Sequence, residues 1–355
     1  MACRSRSRAA SAARDIISDT GNEAVEVREL DLARLASVRA FAEGFNGPRE
    51  RVDVLVNNAG AMFGAREMTP DGFEATWQVN CLGPHLLARL MMPSLARAAA
   101  AASHAPGAAR YIYVGSRLEQ RGDAAGELRR LRREGKIRRS GGGDGAGEGG
   151  GVRGHVNGAR VVDGEEEEEE DGSTTKFNTF GVYGTAKQAG TALTYELARR
   201  VEANNRAAAA NISGGGGGIG CRGILIHACT PGMVNTNLGR FVGPLTRALV
   251  APLQWALTKT SAQGAEVPLW LATSNDSNVI GGDDAHSVSG SGSVAGGGGA
   301  GGGYFGTEGT FTPGPIIPLE SSEASRDPAL GRRLWSACEE MHGEILTQDD
   351  SLVFS

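Results

Sequence analysis

V-D-V-L-V-N-N-A-G (Val52–Gly60) is the stretch whose reading decides the fold. Val52–Val56 is a short apolar run that empties into the turn signal N-N-A-G, the mark of a buried parallel strand, apolar on both faces, ending in a loop. The pattern recurs. Tyr111–Val114 is a second such strand, and Ile224–Ala228 is a third, ending in T-P-G. Helical spacing covers Glu74–Met92, with Trp77, Cys81, Leu86 and Leu90 among its apolar positions, and a longer helix surrounds Tyr183–Val201. Strands alternating with helices, each strand closing on a polar or glycine-rich loop, predict a doubly wound α/β sheet. Ligands of such sheets sit beyond the carboxyl ends of the strands, which directs attention to those loops.

The run G-G-G-G-G-I-G (Gly214–Gly220) imitates a phosphate-cradling loop but has the wrong context. Such a loop must leave the first strand and open a helix, so that backbone N–H groups face the phosphates. This one follows the helical segment Thr191–Glu202 and precedes the strand-like run Gly223–Ala228, so it reads as a joint. Three segments interrupt the α/β pattern: about 120–175, 205–221 and 281–303. The first carries a basic block (Arg129–Arg139) and an acidic block (Glu165–Asp171). None of the three offers enough apolar surface to offset ordering entropy, so disordered, low-complexity insertions are expected, the charge blocks among them solvated.

With 355 residues the chain has ample length for a buried core, and its 54 glycines are clustered, as linkers grafted onto a globular sequence would be. A single domain with these insertions is the expected organisation. A net charge of −5 gives no reason to invoke nucleic acid. The five cysteines are scattered without metal spacing, so a reducing compartment and no metal are expected. No run approaches the ~20 apolar residues of a membrane span. Phe241–Leu257, broken by Pro244, Arg247 and Pro252, suits a helical lid or a surface-seeking face, so a cytoplasmic or peripheral membrane location is expected. The arginine-rich start, with no acid before Asp15, fits an organelle transit peptide or the tail of a strand and the start of its helix; the second is favoured.

In Y-G-T-A-K, Tyr183 and Lys187 stand four apart, on one helix face. The pattern alone is common, but other strand-end residues join it. Ser116 follows the strand Tyr111–Val114, Asn80 lies in the helix after N-N-A-G, and P-G-M-V-N-T (Pro231–Thr236) follows the last strand. A hydroxyl, a phenol, an ammonium and an amide at one sheet edge suit carbonyl reduction. The ammonium is expected to lower the phenol pKa toward a range where Tyr183 exchanges protons. Ser116 would hold the substrate oxygen, and Asn80 would anchor a water linking Lys187 to solvent. A cofactor must bring the hydride, since no side chain can.

N-N-A-G, the serine, Y-x-x-x-K and P-G-x-V-x-T, in that order, resemble a short-chain dehydrogenase/reductase. A-C-R-S (Ala2–Ser5), L-D-L-A (Leu30–Ala33), V-N-C-L-G-P-H (Val79–His85), T-S-A-Q-G-A (Thr260–Ala265), G-G-Y-F (Gly302–Phe305) and L-W-S-A-C-E-E (Leu334–Glu340) are similar to the retinol dehydrogenase branch and its WW-domain oxidoreductase relatives. The resemblance implies a Rossmann-like sheet and catalytic roles for Asn80, Ser116, Tyr183 and Lys187. It implies cofactor contacts from Asn58, Ala59, Gly60, Asp31, Leu32, Pro231, Gly232 and Thr236, besides Tyr183 and Lys187, and a lipophilic aldehyde, ketone or retinoid-like substrate. An arginine after the second strand accommodates the 2′-phosphate of NADP, so Arg4 favours NADP(H) over NAD.

Two departures qualify the match. Relatives carry a strand and T-G-x-x-x-G-I-G ahead of A-C-R, so the reading expects the first βα unit to be missing here and the natural protein to start upstream. Ser116 and Tyr183 are 67 positions apart, which the first insertion explains at little cost, because closure entropy grows only logarithmically with loop length. A catalytically silent scaffold, or a light-dependent or enoyl reductase sharing Y-x-x-x-K, stays open as an alternative.

Overall fold

In a computed structural model of the chain, residues 1–103, 105, 108–137, 177–210, 221–234, 258–276, 279 and 301–343 are described. The elements begin with β1 (Ala2–Cys3), α1 (Arg6–Thr20), β2 (Arg28–Glu29), α2 (Leu35–Glu43) and β3 (Val54–Asn57). A short helix, α3 (Ala75–Trp77), runs through a π turn (Gln78–Leu82) into α4 (Gly83–Ala101), and β4 (Ala109–Val114) follows. Next come a 3₁₀ turn (Arg117–Arg121), α5 (Ala124–Arg133), α6 (Thr179–Ala210), β5 (Ile224–Cys229) and α7 (Ser261–Thr273). β6 (Gly301–Thr307), β7 (Ile316–Pro318), α8 (Glu323–Arg326) and α9 (Pro328–His342) complete the described chain.

The main sheet has the order β3-β4-β5-β6-β7, parallel except for the antiparallel last pair, while β1 and β2 pair in parallel in a separate ribbon. All six residues of β4 and all six of β5 are buried, as both-face coverage requires. Successive side chains point to opposite faces of a strand. Tyr111, Tyr113, Ile224, Ile226 and Ala228 accordingly join the core formed with α4, α6 and α9. Ile112, Val114, Leu225 and Cys229 pack on the other face, against Val267 and Leu271 of α7. Each fully buried aliphatic side chain of this kind stabilises the fold by about 1.5–3 kcal/mol.

The predicted elements reappear with shifted ends: the strand expected over Val52–Val56 is Val54–Asn57, and the helix around Tyr183 runs from Thr179 to Ala210. The arginine-rich start is a strand tail and a helix. Ser5 caps α1 through its side chain, and Gly21 closes it in a left-handed conformation.

The insertion boundaries need correction. Gln120–Ile137, expected to be disordered, is folded: Ala124, Leu128 and Leu131 form one buried face of α5, and Arg129, Arg130, Arg132 and Arg133 lie off that face. Asp123 caps this helix, and Glu127, Arg130 and Glu134 make ion pairs along it. Charge density in the sequence hides an amphipathic period. Residues 205–210 likewise continue α6, Cys221 is buried, and residues 301–303 open β6. The glycine run, the acidic block and the apolar segment Phe241–Leu257 lie outside the described residues.

Candidate active site

The site forms where β3, β4 and β5 end beside the first turns of α6. Asn57, buried at the last position of β3, donates through its side-chain amide to Pro84 O (3.1 Å) and to the Tyr111 hydroxyl (3.0 Å). That fixes where the following Asn58, Ala59 and Gly60 emerge, all three exposed. Glu74 caps α3 by accepting from Thr76 N and Trp77 N, and the ensuing π turn carries Asn80, which is fully buried. π turns inside helices are frequent at functional sites. The Asn80 amide donates to Ala61 O (2.6 Å) and Thr76 O (2.8 Å), and its Oδ1 accepts from Ala61 N (3.2 Å). Asn80 is therefore the clasp of the N-N-A-G loop.

Lys187 is buried on α6, with Nζ donating to Val114 O at 2.8 Å and lying 5.7 Å from the Tyr183 ring centre. A Cβ built on Gly60 would stand 2.7 Å from Asn80 Oδ1 and 3.2 Å from Lys187 Nζ, so only glycine lets this backbone lie against both groups. Ser116, half-buried just after β4, caps the 3₁₀ turn by accepting from Leu118 N (3.3 Å), and its hydroxyl pulls the Tyr183 phenol pKa down. Asn80, Ser116, Tyr183, Lys187 and Gly60 are thus gathered at one edge.

Their electrostatics differ from the expectation. Burial pushes the Tyr183 phenol up to about 12, with the Ser116 hydrogen bond opposing, and Lys187 does not act as the lowering partner. Burial pulls the Lys187 ammonium down to about 8. The reason is desolvation: at a sheet edge this closely packed, losing water outweighs the opposing interactions of each group. Tyr183 is a protonated donor at neutral pH, suited to delivering a proton.

The remaining predicted residues are spread along the strand ends. Pro231 and Gly232 follow β5, and Gly232 is left-handed (φ 78°). Lys259, buried, holds this turn by donating to Pro231 O (3.3 Å) and to the Thr307 hydroxyl. Arg117, next to Ser116, donates to Thr307 O (3.3 Å). Asp31 and Leu32 follow β2, where the Asp31 carboxylate accepts from Ala33 N. Arg4 is exposed at the end of β1, and its neighbour Arg6 pairs with exposed Glu29 at 3.3 Å, an acid brought close by strand pairing. Thr236 lies outside the described residues.

Asn57, Glu74 and Lys259 are site supports that the sequence reading passed over. Only Asn57 left a signal, as the first residue of N-N-A-G. Among the described residues no cluster of His, Cys, Asp and Glu could hold a metal ion, and no helix is long and apolar enough to cross a membrane.

The family profile described as short chain dehydrogenase matches residues 1–105. Human retinol dehydrogenase 13 is 28% identical over 280 residues, covering 78% of this chain and 64% of that protein. Mouse retinol dehydrogenase 14 is 30% identical over 294 residues, covering 79% and 68%. The chain thus spans about two thirds of the length of these relatives. A solved structure of an uncharacterized protein from Mycobacterium paratuberculosis shares the fold, with a TM-score of 0.55 at 23% identity, over 96% of this chain and 82% of that one. With a parallel sheet, N-N-A-G and Y-x-x-x-K at its carboxyl edge, and a 30%-identical relative covered over two thirds of its length, the chain belongs to the short-chain dehydrogenase/reductase family.

Proposed function

We propose that this chain interconverts a carbonyl and its alcohol using NADP(H), with a lipophilic aldehyde, ketone or retinoid-like molecule as substrate. One observation carries the reading: the buried Lys187 ammonium 5.7 Å from the Tyr183 ring, with Gly60 against it and the Ser116 hydroxyl acting on the same phenol. The cofactor supplies the hydride when bound. Ser116 and Tyr183 hold the substrate oxygen, and Tyr183, kept protonated by burial, donates the proton. Asn58, Ala59 and Gly60, all exposed at the end of β3, fit a cofactor lying along the N-N-A-G loop. Arg4, at the end of β1, takes a 2′-phosphate, while Asp31 and Leu32 lie near the adenine and Pro231, Gly232 and Thr236 near the nicotinamide. The substrate class follows from the relatives named retinol dehydrogenases.

The reading includes a phosphate-binding βα unit seated between β1 and β3. Among the described residues each of these strands pairs on one side only, and Val54 and Val56 are 38% and 39% exposed. Unpaired strand edges favour such an addition. The same open edge supports the second reading, a silent scaffold. Fluorescence titration with NADPH, on this chain and on a form carrying an upstream strand and T-G-x-x-x-G-I-G, separates them. Micromolar binding by the extended form is expected; binding by neither folded form would favour the scaffold.

A further inference from the structure

β4 carries an unusual side chain at its heart. Tyr113 is buried, and its ring centre lies 5.1 Å from Lys187 Nζ. Its hydroxyl donates to the Asn80 main-chain carbonyl at 2.9 Å. The approach depends on Gly190, where a Cβ would overlap the phenol oxygen and the ring carbon that bears it. A strand residue thus reaches across α6, through a gap that only glycine leaves, to touch two members of the candidate tetrad.

We infer that Tyr113 is a positioning residue of the reaction, fixing the Asn80 π turn through its hydroxyl and the Lys187 ammonium through its ring. This rests on the oxidoreductase reading of the same site. Pro84, four residues after Asn80, has no N–H, so the Asn80 carbonyl lacks its usual helical donor, and a buried carbonyl needs one. Tyr113 supplies it for Asn80. Asn80 in turn clasps Ala61 through two hydrogen bonds and holds Thr76 O through a third, which sets the Gly60 backbone against Lys187. The ring face toward Nζ offers the ammonium a cation–π contact in a pocket that provides Val114 O as its hydrogen-bond acceptor. One side chain therefore couples the loop end of the site to its cation.

The test is Tyr113→Phe in the full chain, which keeps the ring and deletes the hydroxyl. Ser94→Ala, which deletes a buried hydroxyl bonded to Phe45 O on the far side of α4, serves as the stability control. In carbonyl reduction, Tyr113→Phe is expected to lose about tenfold or more in kcat with KM within about twofold, because misplacement without loss of contact acts on the reacting geometry. Ser94→Ala should lower Tm comparably and leave kcat alone. A second readout needs no activity. Titration of Lys187 by ζ-¹⁵N NMR should show its midpoint rise by about one unit or more in Tyr113→Phe, as the loosened turn admits water to the ammonium. An active wild type with unchanged kcat and an unchanged Lys187 midpoint in Tyr113→Phe would overturn the proposal. An inactive wild type would count against the oxidoreductase reading alone, and the titration would still decide the role of Tyr113 in holding the site.

Discussion

β3 and β4 are adjacent parallel strands made from similar apolar residues, yet they have opposite fates. β4 is buried on both faces and paired on both edges, and the residues at its end meet buried partners from α4 and α6. Among the described residues β3 pairs only with β4, and it exposes Val54 and Val56. The ribbon β1–β2 beyond it consists of two-residue strands, tied to the body through buried Leu30 and Leu32 and a Leu35 N–H donated to Asp71. The half of the site assigned to the substrate oxygen is packed among buried residues, whereas the half assigned to the adenine end of the cofactor rests on short, partly open elements. On the proposed reading, chemistry and cofactor grip are separable, and each can be tested alone.

The largest expected effect belongs to the buried half. Tyr183→Phe should cut kcat for carbonyl reduction by about 10²–10⁴-fold while cofactor binding stays within a few-fold of wild type, measured by steady-state kinetics and fluorescence titration. Equal losses in both would mean the two halves are not separable.

Lys187→Met tests the same half through stability. Burial lowers the Lys187 pKa from 10.5 to about 8, so the charge destabilises the folded state fully below pH 8. That cost fades as pH rises from 8 toward 10.5, since the unfolded chain there binds more protons than the folded one. The Met variant should therefore be more stable than wild type at pH 7 by about 3 kcal/mol, with the gap closing above pH 8, as read from urea unfolding at a series of pH values. A gap that widens with pH would contradict the assignment.

The cofactor half gives smaller effects. Arg4→Ala should weaken NADPH binding about tenfold and leave NADH binding unchanged, since one charged contact to the 2′-phosphate is lost. Equal weakening of both would remove Arg4 from that role.

The smallest effect sharpens the contrast between strands. Val56→Thr at the open edge should change stability by no more than about 0.5 kcal/mol, whereas Ile112→Thr, on β4, should cost well over 1 kcal/mol. If the two costs match, β3 is not the open edge described.

The strands and the main helix were legible because their signals are local. Apolar runs ending in N-N-A-G, G-S and T-P-G marked β3, β4 and β5, and the four-residue spacing of Tyr183 and Lys187 placed both on one face of α6. Other features depend on contacts between distant segments. Nothing near Tyr113 announces that Gly190 will make room for its hydroxyl, or that Lys259 will hold the turn after β5. Helix α5 was missed because its arginines mask the Ala124, Leu128, Leu131 face. The direction of the Tyr183 shift was misjudged because a sequence shows the neighbouring charge but not the depth of burial.

The central claim is that Tyr183 gives a proton to a carbonyl at an edge assembled before the substrate arrives. Single-turnover oxidation of NADPH with a long-chain aldehyde, wild type against Tyr183→Phe, tests it most directly. A wild-type decay at 340 nm that Tyr183→Phe lacks, with NADPH still bound, is the result expected. Equal decay in both, or bound NADPH that neither protein oxidises across a panel of lipophilic carbonyls, would contradict it.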